Sequence, residues 1–144
     1  MITPLVMLVD DEAPFVETMT KRLKKRDLDV IAAFSGREAL EILNKNQNID
    51  IVILDVKMPG MDGIETLKEI RARFPLVEVI MLTAHATVES AIEGMKLGAF
   101  DYLMKPCDMG QLIGKVNEAV RKKRGHEEKI REAHVKEILT KRGF

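Results

Sequence analysis

Five short apolar runs punctuate this chain, and each is followed by polar or turn-forming residues and then by apolar positions at helical spacing. The first run is Leu5–Val9. After Asp10-Asp11-Glu12, Pro14 suits the first turn of a helix, and Val16, Met19 and Leu23 recur on one helical face. Residues 28–34 form a β-rich second run, after which Ser35 and Glu38 have capping-box spacing ahead of Ala39, Leu40 and Leu43. The third run, Ile51–Leu54, ends abruptly on Asp55. Pro59 and Gly60 predict a turn there, Asp62 and Glu65 have cap spacing before Ile64, Leu67 and Ile70, and Phe74-Pro75 stops the helix. The fourth run ends at Thr83. Thr87 then reads as a cap, Val88, Ala91, Ile92 and Met95 as a core-facing stripe, and Gly98 as a helix C-terminal residue. Asp101–Met104 is a short fifth run closed by Lys105-Pro106. Asp108 and Gln111 open a last helix with Leu112, Val116, Ala119 and Val120 on its inner face.

Runs that are apolar throughout, rather than alternating, fit strands buried on both faces, and strict strand-helix alternation calls for a parallel sheet joined by right-handed crossovers. The expected class is α/β: a doubly wound five-stranded parallel sheet of order 2-1-3-4-5, flavodoxin-like, with helices on both faces. Such sheets bind ligands where connections diverge beyond the carboxyl ends of the strands. Asp10, Asp11, Asp55, Thr83 and Lys105 follow four different strands at that end, so this order converges them on one crevice.

Composition narrows the partners. With 144 residues the chain is one domain's worth, with a short appendage. Lys plus Arg and Asp plus Glu both number 23, so no general field draws it to nucleic acid or to an anionic membrane. The lone Cys107 excludes an internal disulfide framework, and Asp10 and Asp11 interrupt the first apolar run too early for a signal peptide or membrane span. A soluble, cytoplasmic protein is expected. Residues 125–144 read as a charged helical extension, either broken from the last helix at Gly125 or continuing it with a solvated face, with Ile130, His134 and Ile138 as a seam and Val135 and Leu139 beside it. This extension could pair two copies of the chain. Arg121-Lys122-Lys123-Arg124 reads as cations favouring a helix C-terminal dipole, without the interleaved aromatics of a nucleic-acid patch. The residues after Arg124 are too few for a winged helix or an ATPase domain, so the sequence names no downstream target.

The crevice carries the chemistry. Three carboxylates against one ammonium leave two negative charges uncompensated, and like charges this close resist ionising together. A divalent cation resolves this, and all-oxygen ligation points to Mg²⁺, with Mn²⁺ or Ca²⁺ able to substitute. With the site neutralised, Asp55 can act as a nucleophile toward a phosphoryl group, giving an aspartyl phosphate, while Lys105 and Thr83 hold the phosphoryl oxygens.

Val9-Asp10-Asp11, the stretch from Leu54 to Gly63, Leu82-Thr83-Ala84, and the stretch from Gly98 to Pro106 together resemble the receiver domain of a bacterial two-component response regulator. The resemblance covers about Leu5 to Arg124, which makes residues 1–124 the expected receiver domain, and residues 86–108 further resemble receivers that precede sigma-54-dependent activators. It implies that Asp55 accepts a phosphoryl group from a sensor histidine kinase. Asp11, Asp55 and the Lys57 backbone carbonyl would ligate Mg²⁺, with Asp10 acting through water. It implies a cis Lys105-Pro106 bond, a switch pair of Thr83 and Tyr102, and tuning of phosphoryl lifetime by Lys57 and His85. Activation would then shift the fourth helix, fifth strand and fifth helix between two packings, changing partner choice.

Two other functions compete. A haloacid-dehalogenase-type hydrolase also forms an aspartyl phosphate but needs an acid two residues after the nucleophile, where this chain has Lys57. A phosphate-independent binding module would lack the acceptor, the acid pair or the lysine, and all three are present.

Overall fold

Side chains alternate across a strand, so a run apolar at every position must be covered on both faces, and helices supply both covers. The computed structural model describes residues 2–141. Its elements are β1 (Leu5–Val9), α1 (Ala13–Lys24), β2 (Asp29–Ala33), α2 (Gly36–Lys45), β3 (Ile51–Leu54), α3 (Gly63–Arg73), β4 (Glu78–Thr83), α4 (Val88–Lys96), β5 (Asp101–Met104) and α5 (Met109–Lys141). All strand pairs are parallel, in the order β2-β1-β3-β4-β5. The fold class and strand order are those expected.

Two cores result. Met7, Val9, Val52, Leu54, Val79 and Met81 face one way, against Leu40 and Leu43 of α2 and Leu67 and Ile70 of α3. Val6, Leu8, Ile51, Ile53, Ile80 and Leu82 face the other way, against Val16, Met19 and Leu23 of α1 and Leu112, Val116 and Ala119 of α5. The helix starts are built as the polar spacing predicts. Ser35, Asp62 and Thr87 each accept a backbone N–H three residues on, and Asp108 accepts that of Gln111. Gly98, at φ 100°, follows the end of α4.

Two expectations need correction. The stripe Val88, Ile92, Met95 does not face the core: these residues are 76%, 50% and 47% exposed, and Gly94 is the one buried residue of α4. The helix rests on the sheet through that glycine, where an added Cβ would sit 3.6 Å from the Tyr102 ring and 3.8 Å from Met81, so the larger apolar side chains turn outward. Nor do Lys122, Lys123 and Arg124 cap a helix end, because α5 runs unbroken through Gly125. They pair with two buried acids at the amino ends of central strands: Lys123 and Arg124 with Asp50 at 3.2 and 3.3 Å, and Lys122 with Glu78 at 3.5 Å. The desolvated acids at that sheet edge need counter-charges, and this turn of α5 supplies them. No helix among the described residues is long and apolar enough to cross a membrane.

Candidate functional site

The carboxyl edge of the sheet gathers the predicted side chains. Asp10 follows β1 and is buried; its Oδ1 accepts the Glu12 backbone N–H at 2.9 Å and its Oδ2 accepts the Lys105 ammonium at 2.6 Å. Asp11 beside it is exposed. Asp55 caps β3, its N–H donating to the Val9 carbonyl at 3.0 Å, so the backbone that positions it is part of the ladder. Its side chain is buried and its Oδ1 has no hydrogen-bond partner. Carboxylate oxygens of Asp10, Asp11 and Asp55 all lie within 4.8 Å of one another.

Burial pushes the Asp55 carboxyl above its ordinary value of 3.8, and the neighbouring Asp10 charge adds to this; the Thr83 hydroxyl, Lys105 and the Val56 backbone N–H oppose it. An acid so placed gains from any positive charge that enters the crevice. The loop after Asp55 is shaped by two glycines. Gly60 adopts φ 75°, and at Gly63 a Cβ would lie 1.9 Å from the Asp55 carbonyl oxygen, so only glycine lets α3 start this close to the acid.

Thr83 ends β4, fully buried, and its Oγ1 accepts the His85 N–H at 3.0 Å. Lys105 ends β5's connection, its N–H donating to the Thr83 carbonyl at 2.9 Å, and the Lys105-Pro106 bond is cis. The Lys105 ammonium bridges Asp10 and lies 3.6 Å from Glu12, rather than pairing with Asp55. Lys57 and His85 line the open mouth with Asp11, Glu12, Met58 and Pro59, around a hollow of about 420 Å³. Tyr102 lies on β5, half-buried, and its hydroxyl shares a 2.6 Å hydrogen bond with Ser90 Oγ.

All the predicted crevice residues therefore meet at one edge, and Tyr102 stands behind them against α4. Sequence reasoning missed three contacts. Glu12 and Phe15 both touch Lys105, the ring centroid 3.8 Å from the ammonium. Ser90, which completes the Thr87 capping box, also holds Tyr102. The cap spacing of Thr87 and Ser90 was a readable signal; the meeting of α1 with the end of β5 had none.

A family model described as a response regulator receiver domain matches residues 6–117. The transcriptional regulatory protein ZraR of Escherichia coli (strain K12) is 41% identical over 115 residues, which cover 80% of this chain and 26% of that protein. The chain thus spans about a quarter of the length of that curated relative. A response regulator receiver domain protein from Clostridium thermocellum superposes with a TM-score of 0.80 at 36% identity, covering 84% of this chain and 97% of that one. The receiver domain of the Francisella response regulator 1452 does so with a TM-score of 0.76 at 36% identity, over 83% and 98% of the two chains. The stretch matched by the family model runs from inside the first strand to beyond Lys105, enclosing every crevice residue described above, and this chain belongs to the response regulator receiver domain family.

Proposed function

We propose that the chain is a phosphorylation-dependent switch in which Asp55 accepts a phosphoryl group from a sensor histidine kinase. A receiver domain is a phosphoacceptor signalling module rather than a classical enzyme, and it implies a histidine kinase partner. The observation that carries the assignment to Asp55 is a buried carboxylate with one oxygen unpartnered, at the tip of a central strand and within 4.8 Å of two further carboxylates.

Asp10, Asp11 and Asp55 form an all-oxygen donor set that suits Mg²⁺, with Mn²⁺ or Ca²⁺ as substitutes. Asp11, Asp55 and the Lys57 carbonyl would hold it directly and Asp10 through water. When bound, the ion offsets the carboxylate charges and those of the phosphoryl oxygens. Asp55 forms the new oxygen-phosphorus bond as the donor's bond to phosphorus breaks. Lys105 and the Thr83 hydroxyl bind phosphoryl oxygens, and Lys57 and His85 at the mouth govern how readily water reaches the product, which the chain removes slowly.

When Thr83 turns toward the phosphoryl group, Tyr102 follows and leaves Ser90, loosening α4. The exposed Val88, Ile92, Met95 and Met104 make the α4, β5 and α5 face an output surface for a protein target. Similarity to a transcriptional regulatory protein supports a role in transcriptional control, and the run of residues 86–108 supports a receiver of the sigma-54-activator type. The even balance of 23 basic and 23 acidic residues supports action in the cytoplasm through protein contacts rather than on nucleic acid or membrane. Residues 1–124 form the receiver unit, and 125–144 a charged extension whose exposed Ile130, Val135, Ile138 and Leu139 support pairing with a second copy.

Incubation with acetyl phosphate and Mg²⁺ followed by intact-mass spectrometry tests the central reading. One phosphoryl adduct that disappears in Asp55→Asn is expected. An adduct surviving that substitution, or fast multiple turnover of phosphoesters, would overturn it.

A further inference from the structure

We infer that Phe15 is a positioning residue for Lys105, an aromatic seat that keeps the ammonium at the crevice mouth while its hydrogen-bond partners change. This rests on the reading of Asp55 as phosphoacceptor and Lys105 as a phosphoryl ligand.

Phe15 does not lie on the inward stripe of α1. Val16, Met19 and Leu23 are the buried positions of that helix, and Phe15 stands on its shoulder, partly buried against the same core. Its ring is directed at Lys105, whose ammonium sits 3.8 Å from the ring centroid and whose side chain is 11% exposed. The ammonium is thus enclosed by Asp10 at 2.6 Å, Glu12 at 3.6 Å and the ring. The three contacts differ in kind. Asp10 and Glu12 each compete for the N–H donors, whereas an aromatic face attracts the charge as a whole and uses up no donor geometry.

That difference matters when the site is used. A lysine that moves from Asp10 to an incoming phosphoryl oxygen must break a short charge-assisted hydrogen bond, and on a bare helix surface its four-carbon stem would then sample many rotamers. Over the ring the ammonium keeps part of its stabilisation throughout the exchange, so Nζ stays within reach of the phosphoryl group. Glu12, more than half exposed, is too well solvated to do this alone.

The test combines a contact readout with a kinetic one, on the full chain. In wild type, NMR of the Lys105 ε-methylene protons should show an upfield ring-current shift, which Phe15→Leu should abolish and Phe15→Tyr retain. Under acetyl phosphate and Mg²⁺, Phe15→Leu should slow adduct formation about 3- to 30-fold, the range of a partly desolvated cation-π contact, with Phe15→Tyr near wild type. In a Lys105→Met background the same Phe15→Leu change should have no effect on rate, which separates positioning from loosened packing. An absent ring-current shift, or an equal slowing with and without Lys105, overturns the inference while leaving the assignment of Asp55 intact. Failure of wild type to form any Asp55 adduct overturns both.

Discussion

Replacing the central acid should make this protein more stable while abolishing its phosphorylation. Asp55 shares the crevice with Asp10 and Asp11, their oxygens within 4.8 Å, and at an effective dielectric of about 20 each such pair repels by about 3 kcal/mol. Lys105 on Asp10 offsets part of this, and Asp11 is exposed and screened. The buried Asp55 Oδ1 adds a cost of its own, since no donor satisfies it. Asp55→Asn keeps the shape and removes the charge, so in EDTA near pH 7.5 it should gain about 1–3 kcal/mol, or roughly 3–12 °C in midpoint for a chain of this size. Far-UV circular dichroism is the assay, because the chain has no Trp and one Tyr. Saturating Mg²⁺ should raise wild type by about 2.7 kcal/mol at a hundredfold excess over Kd, and the Asn variant by less, narrowing the gap. An Asn variant that melts at or below wild type in EDTA would refute the electrostatic account of the crevice.

Lowering the pH in EDTA should close that gap as well. The folded state binds the Asp55 proton more tightly than the unfolded chain, so the penalty is full above the raised folded value and vanishes below the ordinary 3.8; matched melts of wild type and Asp55→Asn from pH 7 to 4 check the sign. At the opposite sheet edge, Asp50→Ala should cost about 3–5 kcal/mol, because it strands the buried Lys123 with only Glu127 at 3.2 Å. Lys123→Met should cost less, since Arg124 and the Leu5 N–H still satisfy Asp50, and urea midpoints in the reverse order would contradict the clamp. Gly63→Ala should lose at least about 2 kcal/mol in urea denaturation, because its Cβ meets backbone at 1.9 Å. Ser90→Ala removes the 2.6 Å contact to Tyr102 and should speed exchange of the Ala91 amide by about fivefold, the equivalent of about 1 kcal/mol; unchanged exchange would show that this bond does not hold α4.

The sequence by itself determined the sheet, its strand order and the edge at which Asp10, Asp11, Asp55, Thr83 and Lys105 assemble. The sheet and that edge follow from local signals, namely apolar runs, cap residues at fixed spacing and polar residues at the ends of four of the five strands, and the strand order follows from the doubly wound rule for such alternation. The tertiary structure alone decided three others. The Val88, Ile92, Met95 stripe has a helical period that reads the same whether it faces a core or solvent, and only the seating of Gly94 on Tyr102 turned it outward. The run from Lys122 to Arg124 carries the same charges at a helix end or beneath a sheet, and it was the continuation of α5 past two buried acids that made it a clamp. The ring of Phe15 came to Lys105 across 90 positions of chain, and periodicity within one helix holds no record of what a distant strand end brings to its shoulder.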